Sequence, residues 1–413
     1  MSMTRRGSFP LTLLVAVLGC VLATSCGVSP TPPGDVATPA VTGSADAMGE
    51  VARTPGPPPA HELYGYVPYW EMDDTIADHL AATPLTTLCL FSVTDTANGT
   101  LNTTQTGYKR ITGVPGTAVI REAHDRHVRV EVVFSSFGKD RNLAFFADEA
   151  RRAATITALV ALVTEIGLDG VNVDMEGLDP LAVPAYGAFV QQLRAAVTAA
   201  DPGDRVTAAT QANALGAAMA AAAVAGGAHR VFMMGYDYRV AGSSPGATSP
   251  LDRRDGERDL GWSIELYAAA GVPPDRTLLG LPLYGMTWPV AGPVMGAPET
   301  GRGEAWIPRR HLDLLLDPEA DPVRDEQEQV EVYFLASDGL VGPPSPGESA
   351  PATDRTWEAV YVDSPATLAP KLDLANARGF AGAGFWAIGY ERGLPGYTDL
   401  MARFVAGAVL AGP

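Results

Sequence analysis

Lysine is nearly absent from this chain of 413 residues, occurring only at Lys109, Lys139 and Lys371. Lysine and arginine together number 29 against 47 aspartates and glutamates, a formal net charge of −18. So acidic a chain lacks the basic surface that a polyanion needs, which excludes nucleic acid as a partner. Cysteine is equally scarce, at Cys20, Cys26 and Cys89. The first two share the N-terminal segment, so Cys89 is left without a clear partner. In the apolar run Leu88-Cys-Leu-Phe91 it reads as a small buried hydrophobe rather than a thiol nucleophile. There is no glycine-rich phosphate loop, no Ser-His-Asp arrangement and no convincing internal repeat.

The only long apolar stretch near a terminus, Leu11 to Leu22, follows Arg5 and Arg6. It is too short for a comfortable membrane span and reads as a secretory signal over residues 1–26. Leu22-Ala-Thr-Ser-Cys26 resembles a bacterial lipobox, and Val17-Leu-Gly-Cys20 is a second candidate. Lipidation of Cys26 or Cys20 would tether the mature chain, the only membrane contact expected; cleavage and release is the alternative. Residues 27–60 are rich in Pro, Thr, Gly and Ala without apolar periodicity. They read as a stalk that reaches about 100 Å at ~3.1 Å per residue.

From Leu63 onward, apolar runs of strand length alternate with helical patterns. Strands are expected at Leu63–Tyr69, Thr86–Val93, Val128–Ser135, Leu168–Gly177, Arg205–Gln211, Arg230–Gly235, Arg276–Leu283 and Phe380–Ala387. Helices are expected at Leu143–Ile166, Tyr186–Ala199, Leu260–Ala270 and Leu400–Leu410. Eight strands alternating with helices give an α/β fold, a (β/α)8 barrel over residues 61–413. About 70 residues separate the seventh strand from the next helix, far beyond a normal loop. They predict a small α+β insertion at about 286–355, with β-like pieces at Gln329–Leu335 and Trp357–Val362.

The stretch Leu168-Asp-Gly-Val-Asn-Val-Asp-Met-Glu-Gly177 carries the most information. Its period of two turns Val171, Val173 and Met175 to one face, and Asn172, Asp174 and Glu176 to the other. In a parallel sheet both faces are covered, so two carboxylates and an amide would be buried in a row. Such burial is unfavourable, and function is the usual reason it persists. His124 and His127 stand i, i+3 with Asp125 between them, but on the helix preceding the third strand, at the opposite end of a barrel from its active face. They read as a solvated helix end, and neither a metal nor another cofactor is expected.

The run matches Asp-Gly-x-Asp-x-Asp-x-Glu at Asp169, Gly170, Asp174 and Glu176, and so resembles the strand-four signature of family 18 glycoside hydrolases, the chitinases and related N-acetylglucosaminidases. It departs at Asn172, where most chitinases carry Asp; an Asn there is more similar to the branch acting on bacterial cell-wall glycans. The resemblance extends over roughly 62–410. Met233-Met-Gly-Tyr-Asp-Tyr238 is similar to the family's Met-x-Tyr-Asp and maps Met234, Tyr236 and Asp237. Gly384-Phe-Trp386 resembles its floor tryptophan, Gly280-Leu-Pro-Leu-Tyr-Gly285 its strand-seven pattern with Tyr284, and Ser135-Ser-Phe-Gly138 approximates its strand-three motif. Tyr66, Tyr69 and Trp70 close the first strand, where aromatics line such clefts.

What the resemblance implies is substrate-assisted retaining hydrolysis of an N-acetylglucosamine polysaccharide; composition and leader suit an extracytoplasmic enzyme, and a monomer is expected. Glu176 would serve as acid and base, while Asp174 and Tyr236 hold the substrate's acetamido group. Asp237, Met234, Trp386, Tyr66, Trp70 and Tyr284 would contact sugar; Asp169 and Asn172 would support. Asp169 has the opposite strand parity to Glu176, so it should brace the strand rather than touch sugar. A sugar-binding protein on the same barrel is the alternative. Peptidoglycan and chitin both remain open as substrates.

Overall fold

Strands that are apolar on both faces must lie between two packed layers, and seven of them follow one another in chain order. They are β1 (Glu62–Pro68), β2 (Thr87–Val93), β3 (Arg129–Phe137), β4 (Gly170–Glu176), β5 (Arg205–Gln211), β6 (Val231–Met234) and β7 (Thr277–Pro282). The chain then forms β8 (Gly285–Val290), β9 (Glu304–Trp306), β10 (Val323–Asp325), β11 (Val330–Ala336) and β12 (Trp357–Val362), which build a separate sheet in the order β10-β11-β12-β8-β9. It returns as β13 (Gly382–Trp386), which pairs in parallel with both β7 and β1 and closes an eight-stranded barrel. The expected (β/α)8 barrel is the fold found. This computed structural model describes residues 60–339, 341–342, 355–408 and 410. Cys20, Cys26, the signal and stalk up to residue 59, and the turn region near 343–351 lie outside them. Among the described residues no helix is long and apolar enough to cross a membrane.

Side-chain parity sorts the barrel into two apolar layers. Outward residues such as Val171, Val173 and Met175 pack on helix residues such as Leu159, Leu193 and Phe189. Inward, Tyr64, Tyr66, Cys89, Phe91, Val133, Ala209, Phe232, Met234 and Leu278 form a second cluster that fills the bore up to Trp386 and Tyr236. Each fully buried aromatic of this kind stabilises the fold by about 1.5–3 kcal/mol through area removed from water. Cys89 is a buried free thiol, as its apolar run implied.

Three boundaries differ from the sequence reading. The helix expected over Leu143–Ile166 is two, Lys139–Ala147 and Glu149–Ile166. Asp148 between them is extended and its side chain accepts from the Arg151 N–H at 2.9 Å, so a local cap overrides the continuous apolar period. The insertion extends to Val362 rather than about 355, because β12 pairs with β8 and β11 instead of joining the barrel. The last helix runs Pro395–Val405, starting a turn and a half earlier than expected at a proline tolerated in the first turn.

Two charged clusters hold the insertion to the barrel. Arg309, just beyond β9, donates to Glu71 at 2.8 Å, and Arg392, beyond β13, donates to the other Glu71 oxygen at 2.7 Å. Asp363, immediately after β12, pairs with Lys371 on the helix Pro365–Ala377, and both are fully sequestered, Lys371 at 0% exposure. Removing one member of such a pair strands the other charge in a dry site. Lys371→Met is therefore expected to lower unfolding free energy by about 3–5 kcal/mol, and the double variant Lys371→Met/Asp363→Leu to recover much of the loss. Urea unfolding of the three proteins measures both; equal stability of the single and double variants would remove the pair from the ledger.

Candidate active site

β4 carries the polar row. Asn172, Asp174 and Glu176 stand in register with Val133, Ser135 and Phe137 of β3, and the first two also with Thr207 and Ala209 of β5. Asn172 and Asp174 are buried and Glu176 half-buried at the strand's C-terminal end. The strand starts from Gly170, where a Cβ would lie 2.0 Å from the Arg205 carbonyl oxygen; only glycine permits β5 to approach this closely. Asp169 stands at that same lower end. Its Oδ2 accepts from the Val130 N–H at 2.7 Å and lies 2.8 Å from Nε2 of His124. Asp169 thus ties β4 to β3 and to the preceding helix, the bracing its parity predicted. His124 is correspondingly not a solvated helix end but the partner of this carboxylate.

At the upper end the backbone of Glu176 is held by the strand-three motif. The Gly138 N–H and Asn142 Nδ2 both donate to the Glu176 carbonyl, at 3.0 and 2.7 Å, and Ser136 donates to Asn142 Oδ1 at 2.7 Å. The Glu176 carboxylate accepts from Gln211 Nε2 at 3.0 Å, and Asn213 Nδ2 donates to Gln211 Oε1 at 3.3 Å, which fixes the Gln211 amide orientation. Beyond β6, Asp237 has φ 61, its N–H donates to Thr248 Oγ1 at 3.2 Å, and its carboxylate accepts from the Tyr284 hydroxyl. Tyr236 packs against Tyr284 with ring centroids 6.2 Å apart.

An aromatic wall stands opposite. The Trp386 ring lies 4.7 Å from Phe91, 6.1 Å from Tyr66 and 6.3 Å from Trp70, centroid to centroid. Trp70 is 43% exposed and donates through Nε1 to the Tyr390 hydroxyl at 3.1 Å. Phe137 is exposed and stacks on Phe91. Rings of this kind offer flat apolar faces with little entropy to lose. Met234 lies beneath them in the inner cluster. The residues named from the sequence therefore converge on the upper mouth of the barrel, except Asp169 at the lower end and Asn172 one step below Asp174.

The row is electrostatically strained. Burial, and then the Glu176 charge, hold the Asp174 carboxyl well above the usual carboxylate range. Burial also raises Glu176; the Gln211 hydrogen bond opposes this and the Asp237 charge adds to it. Like charges in a dry site cannot both ionise freely, so the pair is built to share a proton. Burial and the neighbouring carboxylates push the Tyr236 hydroxyl well above its ordinary value, which keeps it a donor. Among the described residues no group of three or more His, Cys, Asp or Glu side chains is placed to hold a metal ion.

Sequence reasoning missed Gln211, Asn142, Phe91 and the buried Glu131–Thr207 pair. Gln211 ends β5 and its contact with Glu176 spans 35 residues, which no local pattern encodes. Glu131 had a readable signal, a lone carboxylate within the apolar strand Val130-Glu-Val-Val133. Because Gln211 donates to the charged form of Glu176, Gln211→Leu is expected to raise the Glu176 carboxyl further. The ¹³C carboxyl resonance of Glu176, followed against pH, measures this; an unmoved titration would show that the hydrogen bond does not act on the charge.

Comparison with known proteins agrees with this geometry. The chain is 27% identical over 165 residues to Nod factor hydrolase protein 1 of Medicago truncatula, an alignment covering 39% of each. It thus spans about two fifths of the length of the curated relatives it matches. Among solved structures, the Bacillus cereus spore cortex-lytic enzyme SleL superposes with a TM-score of 0.66 at 17% identity, over 86% of this chain and 77% of that one. The chitinase-like agglutinin of Robinia pseudoacacia superposes with the same score and identity, over 83% of this chain and 99% of its own. The model of the family described as "Glycosyl hydrolases family 18" matches residues 62–391, most of the chain and every strand of the barrel. The chain belongs to that family.

Proposed function

We propose that this chain is a catalytic member, a glycoside hydrolase cleaving β-1,4 linkages next to N-acetylglucosamine in peptidoglycan or chitin. The observation that carries the reading is the pairing of Asp174 and Glu176, both present and both raised by burial, beside the Tyr236 donor. A carbohydrate-binding relative has no need of a proton held at the cleft. In the reaction Glu176 protonates the glycosidic oxygen, and the substrate's acetamido carbonyl attacks the anomeric carbon to give an oxazolinium ion. Asp174 accepts from the acetamido N–H and stabilises the positive charge, and Tyr236 donates to the acetamido oxygen for in-line attack. Glu176, now ionised, removes a proton from the water that opens the oxazolinium ring, with retention. Trp386 supports the sugar's apolar face; Tyr66, Trp70, Tyr284, Asp237 and Met234 shape the cleft around it.

The exported leader and stalk suit an enzyme working on wall polymer outside the membrane, anchored through Cys26 or Cys20. The cortex-lytic activity named for the Bacillus cereus relative is in keeping with a bacterial glycan. Glu176→Gln is nearly isosteric but delivers no proton, so turnover is expected to fall by about 10²–10⁴-fold with binding retained. Asp174→Ala and Tyr236→Phe should each weaken turnover and combine far from additively, because they hold one reacting unit. Digests of purified sacculi and of chitin oligosaccharides, with mass analysis of new reducing ends, identify the substrate. Binding of both without cleavage by the wild-type chain would replace this reading with a lectin-like one.

A further inference from the structure

The insertion carries a buried carboxyl, Glu328, that the reaction above does not use. It sits in the turn between β10 and β11 and is 3% exposed. Its two carboxylate oxygens accept from backbone groups of the loop that follows β6, the Ala247 N–H at 3.1 Å and the Arg254 N–H at 3.2 Å. Its carbonyl accepts from the Leu251 N–H at 3.0 Å. Arg239 supplies the countercharge, with Nη2 3.6 Å from Glu328 Oε1 and 3.0 Å from Asp255 Oδ2. Gly246 lies against that guanidinium so closely that a Cβ would fall 2.2 Å from Arg239 Nε. A charged acceptor that holds backbone N–H groups makes strong hydrogen bonds, and a buried one is unfavourable to leave unmade.

Between those anchors the loop runs alongside the turn that carries Tyr236. Just before Tyr236, the Gly235 carbonyl accepts from Ser249 Oγ at 2.6 Å. Just after it, the Asp237 N–H donates to Thr248 Oγ1 at 3.2 Å, and the Tyr238 N–H donates to the Thr248 carbonyl at 3.1 Å. Ala247, Thr248 and Ser249 are all buried. The turn needs this support. Asp237 has φ 61, a region that residues other than glycine keep only where their surroundings fix it. The Tyr284 hydroxyl holds the Asp237 side chain, whereas Thr248 and Ser249 hold the backbone. Packing against Phe232 and Tyr284, 6.4 and 6.2 Å between centroids, limits the tilt of the Tyr236 ring, and the backbone of the turn sets where its hydroxyl points.

We propose that Glu328 is a positioning residue for the reaction: it fastens residues 247–251 as a strap along the turn 235–238 and so fixes the aim of the Tyr236 hydroxyl. The proposal rests on the hydrolase reading for its kinetic consequence. In-line attack by the acetamido carbonyl depends on where the reacting atoms are held, and a displacement of about 1 Å costs up to ~10²-fold in rate. The strap serves the geometry of attack rather than the bulk of sugar binding, so its loss falls on kcat more than on KM.

The test measures kcat and KM on N-acetylglucosamine oligosaccharides for the wild-type full chain, Glu328→Gln, Thr248→Val, Thr248→Ser, Tyr236→Phe and Tyr236→Phe/Glu328→Gln. A Gln amide nitrogen cannot accept a backbone N–H, so Glu328→Gln releases one anchor. It should lower kcat about tenfold or more, with KM changed less than about threefold. Thr248→Val loses the acceptor for Asp237 and should lower kcat likewise, while Thr248→Ser keeps the hydroxyl and should restore most of the rate. With Tyr236→Phe no hydroxyl remains to be aimed, so adding Glu328→Gln should cost less than about threefold. Wild-type kcat in Glu328→Gln, or full additivity with Tyr236→Phe, would overturn the proposal. Should Glu328→Gln fail to fold, the Thr248 pair decides, and equal kcat in its Val and Ser forms overturns the strap. An activity-free measurement separates the strap from the hydrolase reading. Amide hydrogen exchange at Asp237 and Tyr238 should quicken about tenfold in Glu328→Gln, with exchange at Val173 of β4 unchanged. Equal quickening at all three would be general loosening and would overturn the proposal, as would none. If the first two quicken selectively and the wild-type chain cleaves no glycan, the strap stands and the hydrolase reading fails.

Discussion

The structure is organised around the burial of a carboxylate row inside a closed parallel barrel. A strand covered on both faces has no cheap place for Asn172, Asp174 and Glu176, and the desolvation of the two carboxyls is what raises their pKa values. The rest of the upper barrel limits that expense without removing it. Gln211 meets one oxygen of Glu176, Thr207 meets the amide of Asn172, and Asp174 is left with an open acceptor. A fully satisfied row would be more stable and less reactive. In the proposed reaction that open acceptor on Asp174 is the one the acetamido N–H fills.

The two ends of β4 divide the work. At the bottom, Asp169 is tied to Val130 and to His124, and Gly170 lets β5 approach, so the strand is fixed in register before it reaches the cleft. At the top, the Glu176 carbonyl receives Asn142 and Gly138, which locks the backbone from which the acid projects. A one-residue slip would turn the entire row outward into the helix layer. Register is therefore what keeps the polar row facing the cleft. The signature Asp-Gly at 169–170 is read here as a register lock and not as part of the reacting group.

Periodicity made the barrel legible, because eight apolar strands bounded by turns leave few other closures. The polar row was legible for the same reason: alternation places 172, 174 and 176 on one face whatever the tertiary context. What stayed hidden depended on long-range pairing. The split at Asp148 rests on a side-chain cap competing with an uninterrupted apolar pattern. β12 was legible as a β-like piece of the insertion, but the order of the second sheet became visible only through its antiparallel partners β8 and β11. Gln211 and Thr207 are ordinary strand residues until β5 lies beside β4. His124 is an exposed-looking histidine until Asp169, 45 residues on, comes within 2.8 Å.

Asn172 shows how one departure from a motif redistributes charge across strands. An amide in that place removes a negative group from the row, which by itself would ease ionisation of Asp174. The barrel nevertheless keeps a third buried carboxyl on β3 as Glu131, with Thr207 as the hydroxyl between it and Asn172. Moving that charge off β4 increases its distance from Glu176 and interposes two groups that have a direction, a hydroxyl and an amide. Asp174 and Glu176 therefore stand as the two carboxyls of the β4 row, with the third carboxyl held one strand away behind a hydroxyl and an amide.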